Sequence, residues 1–577
     1  MATGSSDSVT RAPSRRFTVA VLGVVGAGFV LRLAQIFVAR PTCPRITTTP
    51  TGEDCFRVWG DAVYGYWQGS LIADGHWFKD PVAWFLEGGG VREAAGKPPL
   101  YPMFLGALSR YGSPSTPTWQ AALVALVVLA AAAWACRRFL SPLVGGVVLV
   151  ASVVAVVAFR VADGSSPTSA RVAFAICGTV AIGLIAVTVR DMVGGSHGER
   201  AGLIAAVIAA LHPLLWINDG MLQVESLYAL VVVWTILAAY RWWRSPTTSA
   251  LIVLSVALAA AAMIRAEGQL LVPVTMIPLA WRARGLGIAR KVGSVAVAFA
   301  VALVMWSPWL VWNQARFEAA PVGAMTTGSG AVLVSAYCDE TFFGEALGYW
   351  AAHCFEMPRT FAAERDTTLG DAVDDGLEAD GLATRLIEAG AVTVSGVDVR
   401  DPDAEVGAGD EIGVTLRKDV LDDSEIDLVA RATALGYATD HLRRVPVVAV
   451  ARVARMYDLY RPFDTLRINW QVEGRGRLPS TLGLVVHWAL LPVAVAGAVV
   501  LWRRRVTLVP LLAHVVAVTV TAAMTFGVTR YRVPVDICEI LLASIAIDAW
   551  WSGRDRSADP VDVRTDPETD SELHVST

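Results

Sequence analysis

Long apolar runs alternate with short polar connections along most of the chain. A helix that crosses about 30 Å of hydrocarbon needs about 20 mostly apolar residues. The first run is too long for a cleavable signal peptide and lacks a small-residue cleavage site after it. Twelve membrane-spanning helices are predicted, at residues 17–39, 119–135, 143–159, 171–189, 202–217, 225–240, 249–264, 268–281, 292–311, 482–502, 506–526 and 533–551.

The composition agrees with this pattern. Hydrophobic residues make up 54% of the 577 residues and charged residues 17%, with a mean hydropathy of +0.50. A net charge of −4 gives no reason to expect a polyanion partner, and nucleic-acid binding or general disorder is excluded as the main theme. The predicted fold is an all-α polytopic membrane protein of about 12 transmembrane helices, with a small α+β extracytoplasmic domain.

The basic residues predict the orientation. Arg11, Arg15 and Arg16 precede the first span, and most other Arg residues fall in connections on that same side. The positive-inside rule therefore predicts a multi-pass plasma-membrane protein with both termini cytoplasmic. The predicted parts are an N-terminal tail (1–16), a core (17–311) with a first outer loop (40–118), an outer domain (312–481), C-terminal spans (482–551) and an acidic, disordered tail (552–577).

Four cysteines fall on the predicted outer side, where the compartment is oxidising. They are Cys43, Cys55, Cys338 and Cys354. An even number permits the bridges Cys43–Cys55 and Cys338–Cys354. The other two pairings, and reduced thiols, remain open.

The first outer loop holds two candidate functional residues. In GDAVYGYWQGSLIADG, Asp61 begins a stretch with helical spacing that also carries Tyr64. Asp61 is interpreted either as a helix cap or as a catalytic carboxylate. In GKPPLYPMFLG, Lys97 precedes two prolines, which hold an extended backbone. Lys97 is either a snorkelling anchor or a fixed contact for an anion.

Acidic residues also occur where spans meet the predicted outer face. In WINDGMLQVESLY, Asn218 and Asp219 suit helix capping, whereas Glu225 lies at the edge of an apolar helix. A carboxylate near hydrocarbon costs up to about 3 kcal/mol unless it faces a polar cavity. Glu225 therefore indicates a polar site better than the other two do.

Cations in two short outward turns break the positive-inside rule. One turn holds Arg265 beside Glu267, and the other, TRYRVP, holds Arg530 and Arg532. They favour binding of an anionic substrate from the membrane, although Arg265 and Glu267 also fit an ordinary solvated turn. The chain has no P-loop, Rossmann glycine pattern, His/Cys metal spacing or GxSxG motif.

Taken in order, these stretches resemble the polyprenyl-phosphate-dependent membrane glycosyltransferases of the GT-C superfamily. The similarity is to the family-39 type, which includes protein O-mannosyltransferases and the lipid A aminoarabinose transferase, and to its actinobacterial branch. It covers about 17–112, 171–363 and 428–550. RAEG, PWLVWNQARFEAAPV and AYCDETFFGEALGYWAAHC add to the motifs above.

The resemblance implies a function and roles for the residues. A sugar would pass from a polyprenyl phosphate to a hydroxyl of an extracytoplasmic glycan, lipid or protein, with Asp61 as base. No nucleotide, redox cofactor or metal cluster is implied, although a divalent metal is not excluded. The aminoarabinose transferase has Glu before its Lys, where this chain has Gly96. The implied donor-phosphate contacts are Lys97, Arg265, Arg530 and Arg532, and a second carboxylate or acceptor contact would come from Asp219, Glu225, Glu267 or Tyr64.

Two segments seem additional to this resemblance. Residues 113–163 would insert a pair of spans, which preserves the topology downstream. Residues 364–427 resemble a small RNA-binding fold of ribosomal and pseudouridine-synthase proteins. Their net charge of −14 opposes phosphate binding, so a structural cover or acceptor contact is expected instead of an RNA partner.

Two other functions compete with the enzyme. A transporter or flippase of lipid-linked glycans would need paired repeats and intramembrane charges, whereas the polar groups of this chain gather on one face. A non-enzymatic envelope assembly protein would be built around the outer domain, and Asp61 and Lys97 would then be incidental.

Overall fold

The computed structural model describes residues 13–41, 55–113, 117, 120, 166–319 and 323–558, apart from five single residues. These are Trp59, Arg284, Met357, Pro358 and Ala379. The predicted spans at 119–135 and 143–159 lie outside the described residues, as do Cys43 and the C-terminal tail from residue 559.

The described chain is mainly helical. Its helices are α1 (Arg15–Ala34, continued by a π-turn to Ala39), α2 (Asp61–Ala73), α3 (Pro81–Leu86), α4 (Leu100–Gly112), α5 (Pro167–Val193), α6 (Gly195–Leu211), α7 (Pro213–Met221), α8 (Glu225–Arg244), α9 (Thr248–Ile264), α10 (Leu271–Arg282), α11 (Ile288–Arg316), α12 (Ser329–Val334), α13 (Asp339–Phe342), α14 (His353–Glu356), α15 (Leu369–Leu377), α16 (Ala383–Glu388), α17 (Asp423–Asp440), α18 (Val445–Met456), α19 (Pro462–Gln471), α20 (Arg477–Arg503), α21 (Val509–Met524) and α22 (Val533–Ala558).

Five described helices are long and apolar enough to cross a membrane: α1 with its π-turn, α5, α8, α11 and α20. They coincide with the predicted spans at 17–39, 171–189, 225–240, 292–311 and 482–502. Helices α9 and α21 are apolar but shorter. Helix α5 packs on α6 and α8, and α20 packs on α22, so that buried Ala, Val, Leu and Ile side chains form one large core. The predicted polytopic, all-α architecture is confirmed.

The predicted span at 202–217 is broken in the structure. Helix α6 ends at Leu211, α7 begins at Pro213, and the two axes differ by 48°. A proline has no amide hydrogen to donate and disfavours helical geometry in the residue before it. His212 accordingly has extended backbone angles of −65° and 117°.

The segment between α11 and α20, predicted to be the outer domain, carries a small α+β unit. Strands β1 (Arg359–Ala362), β3 (Val392–Val394), β4 (Val397–Asp398) and β6 (Glu411–Val414) form an antiparallel sheet in the order β1-β6-β3-β4. Strands β2 (Thr367–Thr368) and β5 (Glu405–Val406) form a separate antiparallel pair. In the register of the larger sheet, Arg359 and Val392 both pair with Val414. Helices α15 and α16 cover the sheet with buried Leu, Val and Ile side chains.

Helix α17 joins this unit to the rest of the outer segment. Asp422 caps α17 and accepts a hydrogen bond from the backbone N–H of Glu318 at 2.9 Å. Asp427 accepts hydrogen bonds from the Ser329 hydroxyl at 3.0 Å and from the backbone N–H of Gly330, both at the start of α12. A disulfide joins Cys338 to Cys354, with their Cα atoms 6.2 Å apart.

Candidate active site

Asp61 lies at the start of α2, but its side chain does not cap the helix. The N-cap residue is Gly60, with φ at 54°, and no side chain bonds to the first free amides. Instead the Asp61 carboxylate contacts Lys97 Nζ at 2.6 Å and Arg530 Nη1 at 2.7 Å. The Asp61 side chain is 38% exposed and that of Lys97 30% exposed. The site therefore opens to an approaching ligand.

Close helix packing fixes the position of Asp61. Helix α2 lies directly against α4, and glycines stand where the two helices touch. A Cβ on Gly69 would lie 2.7 Å from Leu105 Cβ, and one on Gly106 would lie 2.7 Å from Ile72 Cγ2. Real Cβ atoms do not approach so closely, so only glycine allows this contact.

The loop that carries Lys97 is held by Arg316, the last residue of α11. The Arg316 guanidinium donates to the backbone oxygens of Phe78 at 3.2 Å and Ala94 at 3.0 Å, and it contacts Glu93 at 3.0 Å. Five fixed donors on a planar group suit this bridging role. The loop is thus tied to the membrane core only a few residues before Lys97.

A turn between the last two helices brings further cations. Residues Thr529–Arg532 form a 3₁₀ turn, from which Arg530 reaches Asp61. The ring of the next residue, Tyr531, lies 4.7 Å from the guanidinium carbon of Arg265. Arg265 also pairs with Glu225 at 3.0 Å and with Glu267. The two outward turns singled out by their charge therefore meet.

Two residues at this site were not among the sequence candidates. Glu473 lies 3.8 Å from Arg530 Nη1, and Arg475 is fully buried beside them. None of the three guanidinium nitrogens of Arg475 has a hydrogen-bond partner among the described residues. The sequence did contain a signal for Arg475. QVEGRGRLP places Arg475 and Arg477 just before the span at 482–502, on the predicted outer side, where the positive-inside rule disfavours Arg.

Other sequence candidates lie elsewhere. Asp219 is inside α7 and pairs with Arg32 at 2.6 Å, with both side chains buried, so it does not join the Asp61 cluster. Arg532 is fully buried and contacts Asp458 at 2.5 Å and Asp536 at 3.0 Å. Tyr64 lies one turn after Asp61, and its hydroxyl oxygen would be 3.2 Å from a Cβ on Gly96.

The charges of the cluster shift its proton equilibria. Burial alone would raise the pKa of Asp61, but the Lys97 ammonium and the Arg530 guanidinium outweigh it and hold the pKa well below its usual range. Burial opposes the charge of Arg530, yet Glu473 and Asp61 keep its pKa above the usual value. Burial lowers the pKa of Arg475, against the attraction of Glu473 and Glu225. Strongly shifted groups that meet at one cleft are typical of functional sites.

Comparisons with known proteins agree with the class of the protein. The family model for dolichyl-phosphate-mannose-protein mannosyltransferases matches residues 147–312, which is under a third of the chain. The match confirms the resemblance to the GT-C superfamily and the enzyme class of glycosyltransferase, whereas the actinobacterial branch stays a prediction. No curated protein matches the chain.

Two solved structures are similar to this chain, both of ArnT from Cupriavidus metallidurans. The one bound to undecaprenyl phosphate has 12% identity and a TM-score of 0.33, covering 94% of this chain and 80% of that chain. The apo state has 11% identity and a TM-score of 0.31, covering 94% and 79%. Scores this low leave the site to be judged from the residues of this chain alone.

Proposed function

We propose that this membrane glycosyltransferase moves a sugar from a polyprenyl-phosphate donor to a hydroxyl of an extracytoplasmic acceptor, with Asp61 as the general base. The observation that carries the proposal is the contact of one partly exposed carboxylate with both Lys97 and Arg530. The buried guanidinium of Arg475, which has no hydrogen-bond partner among the described residues, lies beside them. Such a site offers a base and cations that can bind an anion in the same place.

The arrangement suggests an order of events. Without donor, Lys97 and Arg530 neutralise Asp61, and a carboxylate with a lowered pKa is a weak base. A donor phosphate would compete for both cations, which would free Asp61 and raise its basicity. Asp61 would then accept the hydroxyl proton as the acceptor oxygen attacks the sugar. The bond to the phosphate oxygen breaks, and the cations stabilise the charge that grows on the departing phosphate.

Arg265 would contribute less directly. Its guanidinium already pairs with Glu225 and Glu267. It would act by packing against the ring of Tyr531 and so positioning the turn that carries Arg530. The Tyr64 hydroxyl would lie 3.2 Å from a Cβ on Gly96, the residue before Lys97, and from there Tyr64 would contact an acceptor. Arg532 and Asp219 are left out of the mechanism, because each is buried against its own partner.

Sugar transfer in oriented vesicles tests the proposed reaction and the side of the membrane on which it takes place. We expect radiolabelled sugar to pass from a panel of polyprenyl-phosphate sugars to membrane acceptors when the outer face is accessible, and not from nucleotide sugars. A flippase would instead move the labelled lipid between leaflets without hydrolysing or transferring the sugar. An assembly protein would do neither, and either result would overturn the proposal.

Replacement of Lys97 separates a phosphate contact from a membrane anchor. Loss of a charge-assisted contact should weaken donor binding and turnover roughly tenfold in Lys97→Ala, and Lys97→Arg should restore activity only in part. Removing the ammonium also lets the pKa of Asp61 rise. Activity should fall at low pH, where Asp61 becomes protonated. In Lys97→Ala this fall should occur at a higher pH, and a pH–rate profile measures the shift.

A snorkelling lysine makes a different forecast. Lys97→Ala would then change expression or membrane insertion and leave the pH–rate profile in place. Lys291→Ala serves as the matched control, because the Lys291 ammonium donates to the backbone oxygen of Trp281 at 2.8 Å, near the opposite end of α11 from Arg316. An unshifted profile with native donor affinity would remove Lys97 from the site.

A further inference from the structure

A second polar cluster lies inside the helical core, next to the Arg530 turn. His487 is on α20, about 15 Å along the helix from its start. Asp536 and Glu539 lie on the first two turns of α22. All three side chains are buried, and one potential metal-ligand atom from each lies within 4.8 Å of the others.

The hydrogen bonds of His487 make this cluster unusual. Its Nε2 lies 3.2 Å from the backbone oxygen of Tyr457, which can only accept, so Nε2 carries the proton. In the neutral ring, Nδ1 then presents a lone pair to Glu539 Oε2, only 3.0 Å away. Two acceptors at this distance repel each other unless a proton or a cation lies between them.

Other atoms of the cluster distinguish a cation from a proton. A shared proton would satisfy only the contact of His487 with Glu539. Asp536 Oδ2 and Glu539 Oε1 are both buried and have no hydrogen-bond partner in the part of the chain that the structure describes. One metal ion between the three side chains would bind the Nδ1 lone pair and one oxygen of each carboxylate, and these three ligand atoms lie within 4.8 Å of one another. A separation of 3.0 Å also suits two ligands that each lie about 2.1 Å from the same metal.

The charges favour the same conclusion. Asp536, Glu539 and Asp458 supply three carboxylates at this point. Arg532 contacts two of them, Asp458 and Asp536, while Glu539 contacts His487. Arg475 attracts Asp536 less than Arg532 does. Uncompensated negative charge is costly in the interior of a membrane protein, and a divalent cation would remove that cost.

We propose that His487, Asp536 and Glu539 bind one divalent cation of the zinc or manganese type. A set of one imidazole and two carboxylates suits such ions. The bond from Nε2 to the Tyr457 oxygen is the kind of outer contact that orients a metal-binding histidine. The cation would join α20 to α22 and so hold the turn that carries Arg530. None of the three ligands would touch the donor, so metal binding can be measured separately from the proposed transfer reaction.

Metal analysis of the purified, full-length protein tests the site directly. The protein should carry a tag that binds no metal, and elemental mass spectrometry should find about one divalent ion per chain. Treatment with a chelator should lower the thermal midpoint, and zinc or manganese chloride added back should restore it. Glu539→Gln and Asp536→Asn should hold little metal and show no such recovery.

Asp548→Asn is the matched control, because Asp548 is also a buried carboxylate on α22 but pairs with Arg200. It should keep its metal. Wild-type protein with no metal above background and no response to added zinc or manganese would overturn the proposal, even if every variant failed to fold. Full metal content in Glu539→Gln would overturn it as well. Neither measurement depends on sugar transfer, so its outcome is separate from that of the proposed function.

Discussion

Asp61→Asn should lose at least about 100-fold in turnover while it still folds and binds donor. The amide keeps the size of the side chain but cannot accept the hydroxyl proton. Since Asp61 no longer competes for Lys97 and Arg530, donor affinity should be unchanged or higher. Stability should change little, because exposed or partly exposed ion pairs contribute about 1 kcal/mol or less. Single-turnover rates at saturating donor, with a binding measurement alongside, check all three expectations.

The matched control for this variant is Asp74→Asn, at the other end of the same helix. Asp74 follows the last residue of α2 and is exposed. It should behave as wild type. Near-native turnover in Asp61→Asn would exclude Asp61 as the base and direct attention to Glu473, the nearest other carboxylate to Arg530.

Arg475→Gln should weaken donor binding about 10- to 100-fold, the effect of losing a charge-assisted hydrogen bond. It should also raise the thermal midpoint of the protein without donor. A buried guanidinium with no hydrogen-bond partner is costly, and the neutral amide removes much of that cost. Donor titration and thermal unfolding, each with and without polyprenyl phosphate, measure the two effects.

A purely structural role for Arg475 forecasts the opposite result. The thermal midpoint of the variant would fall and its donor affinity would be preserved. Arg477→Gln is the control, since this neighbouring arginine is exposed and lies over the ring of Trp470. It should leave both quantities unchanged. A combination of lower stability and native donor affinity in Arg475→Gln would remove this residue from the site.

Most of the architecture follows from local pattern. An apolar run long enough to cross a membrane has few other stable conformations, because its backbone groups must bond within the helix. The break before Pro213 follows from the chemistry of a single residue, yet the apolar run continues across it and conceals it. Whether a run such as 249–264 spans the membrane alone depends on its neighbours, which hydropathy does not describe.

The site could be predicted only in part. Asp61 and Lys97 were singled out by their loop and by resemblance, and Arg530 by its charge on the unexpected side. Arg530 and Arg532, two residues apart in one short turn, face different surroundings, and the sequence does not tell which one contacts Asp61. The partner of Asp219 is Arg32, 187 residues earlier, and no local pattern joins them. Arg475 was missed because its segment was interpreted as part of an outer domain.

The small sheet between α11 and α20 brings the two ends of its own segment together. Its first strand and its last strand, β1 and β6, lie side by side, with Arg359 opposite Val414. The polypeptide therefore enters and leaves this acidic unit at nearly the same point. A folded unit whose two ends are adjacent adds little loop-closure entropy cost to the surrounding chain, whatever the length of the unit. The acidic unit is consequently modular in its chain entropy, so that changes in the length of its internal loops should leave the position of its two ends unchanged.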